Sequence, residues 1–306
     1  MNDLIMTLSI QQQYSELGYC VIRDAIPSNL IEDCLRSLEL IKRRKTFLYY
    51  SQSTHRWIRP RCSERGYLYD SILNPSQQIQ APALASSVRK IIYHDIVFRA
   101  LSALFPSHRD FVSWQDMLFD RSTGTVDHLD SWYLDTESQG HLVGIWFALE
   151  DIYEQSGPFF VSPGSHKLGP INKQDVAGHD EFLASIQRRI RQHDLKKHSL
   201  LVRKGDIVIW NSLAIHGAFG CQDEEYSRKS ITSHYYPVGC RRNDAASWND
   251  LIRDFKSLRA TNHLRIHRLS KPGRTPLFYA VGGPLLAIRQ QLGYISRNSW
   301  NMRRSK

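Results

Sequence analysis

Three side chains in this sequence have the types and the spacing to hold one metal ion. His128 and Asp130 sit at i and i+2 in the tripeptide HLD, and His216 follows far downstream. On an extended segment, residues two apart point to the same side. One imidazole nitrogen and one carboxylate oxygen can therefore reach a single ion from one strand end. The third ligand must come from a second element. His216 is best placed for it, because it lies in WNSLAIHG directly after the strand-like run GDIVIW. Two histidines and one carboxylate, with the other coordination positions open, suit the facial triad of non-haem Fe(II) oxygenases. HxD alone is a weak signal in a chain with 13 histidines. For His141, His166 and His234 the plainer reading, a surface or hydrogen-bonded core imidazole, is preferred.

Arg228 adds a second kind of chemistry. It opens the segment RKSITSHYY, whose alternation puts Arg228, Ser230 and Thr232 on one face. A guanidinium fork beside a hydroxyl can hold a carboxylate through two parallel charge-assisted bonds. The alternative is an exposed arginine paired with Asp223 or Glu224 across a hairpin. Upstream, Arg56, Arg59 and Arg61 cluster in an aromatic, basic stretch. They either receive an anionic substrate group or are simply solvated. Trp132 and Tyr133 directly follow the HLD motif, where they could contact substrate or fill core.

The elements that must position these residues fall into three stretches. Near the start, Ser9 with Gln12 makes a capping-box pattern, and Gly18 could end the short helix it begins. CVIRDA (20–25) reads as a strand, and Leu30, Cys34, Leu38 and Ile41 mark a helix within 29–43. Residues 45–80 lack a clean period and read as an irregular loop able to close over a site. Residues 84–105 return to helical spacing. In the middle, segments 110–119, 141–149, 158–162, 205–211 and 228–236 are short aromatic or β-branched runs bounded by Gly, Pro, Ser or Asp. That spacing suggests an antiparallel all-β core, interrupted by a helical insertion at 179–193. After about residue 240 the pattern is helical and basic. A barrel-like double sheet dressed with helices is the simplest architecture.

A chain of 306 residues can bury a large core and fits one elaborated domain or two small ones. Its 42% apolar and 23% charged residues are those of a soluble globular protein. No apolar run approaches the ~18 residues of a membrane span. The start, MNDLIMTLSIQQQ, lacks the basic beginning and apolar core of a signal peptide. Five cysteines, odd in number and without CxxC, read as reduced thiols. Both observations favour a cytoplasmic protein. The net charge of +10 is uneven: residues 241–306 carry 14 Lys or Arg against 3 Asp or Glu, a net of +11, which leaves −1 for the rest. Such an extension is either a solvated basic face or a contact for an anionic surface such as a membrane. No nucleic-acid motif accompanies it. Within it, residues 277–295 are apolar enough for a lipid contact or for packing on the core.

The motifs together resemble the phytanoyl-CoA dioxygenase family of Fe(II)/2-oxoglutarate oxygenases. The likeness covers roughly residues 14–238. It rests on YSELGYCVIRDAI (14–26), Gln115 on a strand, HLDSWY (128–133), GIWFALED (144–151), SGPFFVSPGSHKLG (156–169), KGDIVIWNSLAIHGAFG (204–220) and SRKSITSHYYP (227–237). It implies a mainly β (α+β) fold: a double-stranded β-helix (jelly-roll, cupin-like) core with N-terminal helices and a helical insertion. The oxygenase domain would span 1–240, followed by a basic helical extension over 241–306. The resemblance further implies Fe(II) held by His128, Asp130 and His216. It implies 2-oxoglutarate chelating the iron and anchored by Arg228 and Ser230, with Trp146 and Gln115 beside it, and O2 as the other cosubstrate. The implied reaction hydroxylates an aliphatic C–H of a small-molecule or lipid-like substrate and releases succinate and CO2. Asp130 is the ligand that related halogenases lack, which favours hydroxylation. The family often carries a small hydroxyl residue two positions after the distal histidine; here that position is Ala218, so one cosubstrate hydrogen bond is either missing or replaced by another group. The substrate stays open, a coenzyme A ester included, as does the oligomeric state. Two other classes stand beside this one. A cupin-like metal protein without oxygenase turnover, such as an isomerase, needs no carboxylate clamp. A peripheral, membrane-associated interaction protein would act through the basic extension.

Overall fold

In a computed structural model of the chain, residues 9–243 are described, with the backbone of 259–261 and 264–266. Helix α1 (Ile10–Leu17) opens on the expected capping box: the Ser9 hydroxyl accepts from the Gln12 amide at 3.2 Å, and the Gln12 side chain accepts from the Ser9 amide at 2.9 Å. It ends at Gly18, whose φ of +79° is the left-handed cap that glycine adopts without strain. Strand β1 (Tyr19–Ile22) and helix α2 (Ser28–Lys42) follow. The stretch expected to be an irregular loop holds three short strands, β2 (Tyr49–Ser51), β3 (Arg56–Ile58) and β4 (Ile72–Leu73). The helical pattern over 84–105 is two helices, α3 (Pro82–Ile92) and α4 (Asp95–Leu104). They part at His94, which takes an extended conformation and caps α4 by accepting from the Ile96 amide.

The core strands are β5 (Phe111–Phe119) and β6 (Thr123–His128), then the one-turn helix α5 (Asp130–Tyr133), then β7 (Val143–Ala148) and β8 (Phe159–Val161). Helix α6 (His179–Gln192) is the insertion, and β9 (His198–Ser199), β10 (Ile207–Asn211), β11 (His216–Gly220) and β12 (Ser230–Pro237) complete the set. The main path of the larger sheet runs β1-β10-β7-β12-β5-β4-β2-β3, antiparallel at each step, and the smaller sheet runs β6-β11-β8-β9. Two antiparallel sheets with few helices make the mixed α+β, jelly-roll arrangement expected.

Alternation divides the larger sheet into two faces. Val143, Ile145 and Phe147 of β7, with Ile207 and Ile209 of β10, pack outward against α2, α3 and α4. Trp146, Ala148, Val208 and Trp210 point inward and meet Phe159 and Val161 of the smaller sheet. Both faces are covered, so these strands are apolar almost without interruption. The space between the sheets is where a site can form.

Most of the expected helical extension over 241–306, including the apolar segment 277–295, lies outside the described residues. Beyond residue 243 its two described pieces are not helical: β13 (Arg259–Thr261) pairs with β14 (Leu264–Ile266), and β14 lies parallel to β5. Among the described residues no helix is long and apolar enough to cross a membrane. All five cysteines are unpaired.

Candidate active site

β6 and β11 are neighbours in the smaller sheet, and His128 and His216 are direct cross-strand partners at one end of that pairing. Leu129 remains extended (φ −114°, ψ 128°), so Asp130 emerges on the same side as His128. The Leu129 side chain goes the other way, into an apolar cluster with Ile215, Ile171 and Phe182. Ile215 is the residue just before His216, so one cluster anchors both chain segments that carry the candidate residues. Donor atoms of His128, Asp130 and His216 all lie within 4.8 Å of one another.

The backbone fixes which ring nitrogen faces inward. His128 Nδ1 lies 2.8 Å from the Val126 carbonyl, and His216 Nδ1 lies 2.9 Å from the Ala214 carbonyl. A carbonyl only accepts, so Nδ1 carries the proton in both rings and Nε2 presents its lone pair. Those Nε2 atoms stand 3.5 Å from Asp130 Oδ1 and 3.6 Å from Asp130 Oδ2, respectively. Oδ2 also accepts from the Trp210 indole N–H at 2.9 Å. Three acceptors thus converge with no donor between them, in a buried place. This donor set calls for a cation, and two imidazoles with one carboxylate fit a divalent transition metal. Charges follow the same logic. Burial pushes the His216 imidazole down to about 4 against the pull of Asp130. Burial alone would raise the Asp130 carboxyl, but the surrounding imidazoles hold it well below its usual range. Burial lowers His128 too, and the Asp130 carboxylate more than offsets it.

Across the cavity, Arg228 comes from the start of β12. Its side chain is 3% exposed, and its guanidinium sits 5.3 Å from the Phe119 ring and 5.6 Å from the Trp146 ring. Nε has no partner, and among the described residues no carboxylate pairs with it. The expected alternative, a pairing with Asp223 or Glu224, does not occur; Glu224 pairs with Arg121. Burial pushes this guanidinium down to about 10, partly countered by Glu150. A buried cation without an anion is costly, and a guanidinium so placed could pair with a carboxylate. One cavity of about 540 Å³ contains Arg228 and all three convergent residues.

A family model described as "Phytanoyl-CoA dioxygenase (PhyH)" matches residues 14–230. The chain belongs to the phytanoyl-CoA dioxygenase family. The peroxisomal phytanoyl-CoA dioxygenase of Bos taurus is 30% identical over 115 residues, covering 37% of this chain and 34% of that protein. A phytanoyl-CoA dioxygenase domain-containing protein 1 homolog of Caenorhabditis elegans is 29% identical over 114 residues, covering 36% of this chain and 39% of that one. The match therefore spans little more than a third of each relative. Among solved structures, the α-ketoglutarate-dependent carbocyclase SnoK of nogalamycin biosynthesis aligns over 81% of this chain and 92% of its own, with a TM-score of 0.58 and 16% identity. EctD of S. alaskensis, solved with 2-oxoglutarate and 5-hydroxyectoine, aligns over 76% and 77% with a TM-score of 0.53 and 16% identity. At such identity these two show the fold.

In this family member, Trp146 and Gln115 line the cavity, as does Tyr133, whose hydroxyl lies 2.7 Å from His179 Nε2 of α6. Ser230 does not line it: the residue is fully buried and its hydroxyl is 3.4 Å from the Arg228 carbonyl. The next residue on that face, Thr232, does. Trp132 turns away and stacks on Phe182 of α6, with ring centroids 4.5 Å apart. Arg59 is exposed and off the lining, as is Arg56, while Arg61 pairs with Asp70 at 2.7 Å and Arg65 with Glu225. The loop reaches the cavity through Tyr50, Gln52 and His55 instead. Thr125 also lines it and is the cross-strand partner of Ala218, where the family's hydroxyl is missing. His234, read from sequence as an ordinary core histidine, is buried at the cavity with Nε2 3.4 Å from Asp130 Oδ2. The alternation that grouped Arg228 with Thr232 extends to it.

Proposed function

We propose that this chain is an Fe(II)- and 2-oxoglutarate-dependent oxygenase that hydroxylates an aliphatic C–H of a small-molecule or lipid-like substrate. The observation that carries the reading is the joint presence, in one cavity, of three convergent acceptors and a buried guanidinium with no anion of its own. His128, Asp130 and His216 would hold the iron, and Arg228 would pair with the far carboxylate of 2-oxoglutarate. Trp146 supports the guanidinium from its ring face, while Thr232, Thr125 and Gln115 are the neutral polar groups near the cosubstrate. When bound, the iron and the keto acid supply the oxidising chemistry: O2, 2-oxoglutarate and R–H become R–OH, succinate and CO2. The protein's part is to fix the donor atoms, keep bulk water out and aim the C–H. The arginines of the 56–65 stretch are solvated or paired, so the reading assigns none of them to the substrate.

Anaerobic addition of Fe(II) and 2-oxoglutarate should give a visible metal-to-ligand charge-transfer band. His216→Ala should lose it; a normal band in that variant removes His216 from the site. Succinate release followed by mass analysis of the product then tests hydroxylation. A product without added oxygen would favour an oxidative rearrangement, in keeping with SnoK being a carbocyclase.

A further inference from the structure

Resting on the proposed metal triad, we infer that His234 is a positioning residue. With Trp210 it holds one oxygen of Asp130, so that the carboxylate meets the metal through the other. The argument begins in the register of the larger sheet. Trp210 of β10 pairs with Gly144 of β7, and Gly144 pairs with His234 of β12. The three residues form one row across three strands, and the middle one has no side chain. A Cβ on Gly144 would come within 2.1 Å of the Trp210 ring. The flanking side chains can therefore lean over the glycine toward each other. Their rings are 6.0 Å apart and nearly perpendicular.

Both reach the same atom. Trp210 Nε1–H donates to Asp130 Oδ2 at 2.9 Å, and His234 Nε2 stands 3.4 Å from that oxygen. Oδ1 accepts from neither and faces His128 Nε2 at 3.5 Å. His234 is 3% exposed; its Nε2 stands just outside hydrogen-bond geometry to Oδ2, and neither ring nitrogen bonds to anything else. It is also outside the group whose donor atoms converge within 4.8 Å. Its place is behind the carboxylate, not among the metal-binding atoms. A carboxylate held by N–H donors on one oxygen offers the other as a single-point ligand. This leaves coordination positions for a chelating cosubstrate and O2. Partners of this outer kind tune metal affinity by about 10–100-fold.

The test uses the full chain and Co(II), read by titration and by its ligand-field absorption, with no turnover required. His234→Leu should weaken Co(II) binding by about 10–100-fold and change the absorption, as Asp130 loses its restraint. His234→Gln, whose amide nitrogen reaches about as far as Nε2, should restore most of both. A structural role alone would lower the melting temperature of the metal-free protein without that rescue. Wild-type affinity and spectrum in His234→Leu overturn the inference. If His234→Leu does not fold, His234→Asn, whose amide falls short of Oδ2, is compared with His234→Gln, and equal affinities overturn it. Unchanged binding in the His234 variants beside lost binding in His216→Ala removes this inference alone. A wild-type chain that binds no Co(II) removes the triad as well.

Discussion

The two walls of the cavity are finished differently. On the smaller sheet, His128 and His216 each spend Nδ1 on a carbonyl two residues upstream, so their rings are set before anything binds. On the larger sheet, β12 presents the buried Arg228 Nε without a hydrogen-bond partner. Buried polar groups are normally satisfied, and leaving one unmade costs about 1–3 kcal/mol. The first wall is organised by its own backbone. The second carries a buried cation with an unsatisfied donor. The difference predicts that damage to the groups around the convergent triad and damage to Arg228 will be separable, one acting on metal, the other on cosubstrate.

The strongest way to break that division is Arg228→Ala. Removing the unpaired cation should weaken 2-oxoglutarate binding by about a hundredfold, or ~3 kcal/mol, while Co(II) affinity without cosubstrate stays near wild type. A variant that loses both together would show that the walls act as one unit.

Gly144→Ala probes the other direction. The new methyl meets a rigid indole, and overpacking of this sort costs about 1–3 kcal/mol. Trp210 must shift, and with it the hydrogen bond to Asp130. The expected outcome in thermal melts and Co(II) titrations is lower stability with weaker metal binding. The 2-oxoglutarate affinity of the metal-saturated protein should change less. A melting temperature and metal affinity equal to wild type would mean the indole has room that the register does not show.

The same contrast explains what could be read from the sequence. The convergent triad was legible because period-two alternation is local: His128 and Asp130 need only one extended residue between them. Helix α6, the capping box of α1 and the long core strands were legible for the same reason. Trp132 was not, because the chain turns helical at Asp130. At 100° per residue, a side chain two positions on lies about 200° round, facing Phe182 instead of the cavity. Tyr133, one step further, comes back toward the site. Strands β2 to β4 are two or three residues long, too short to show any period. His234 had the right alternation, but its meaning depends on a glycine and a tryptophan brought alongside by sheet register, a non-local fact.

The smallest effect concerns protons and belongs to the first wall. Without metal, burial pushes His216 from the ordinary 6.5 down to about 4. Between those values the unfolded chain binds a proton that the folded chain does not, so stability falls as pH drops through that window. His128 opposes this, because its folded pKa is raised: its contribution is present at low pH and lost as pH rises through that pKa. Asp130, held low, adds its own loss only as pH falls below the ordinary carboxylate range. One proton gives a slope of at most ~1.4 kcal/mol per pH unit, and the opposition of His128 reduces it. Melting temperatures in chelator should therefore decline from pH 6.5 toward 4. His216→Gln should flatten the decline, and saturating divalent metal should offset it at the upper end, since the metal competes for the same lone pairs. Arg228→Ala should leave the slope alone, since that guanidinium titrates near 10. A slope that follows Arg228 instead of His216 would put the pH-sensitive groups on the wrong wall and undo the division between them.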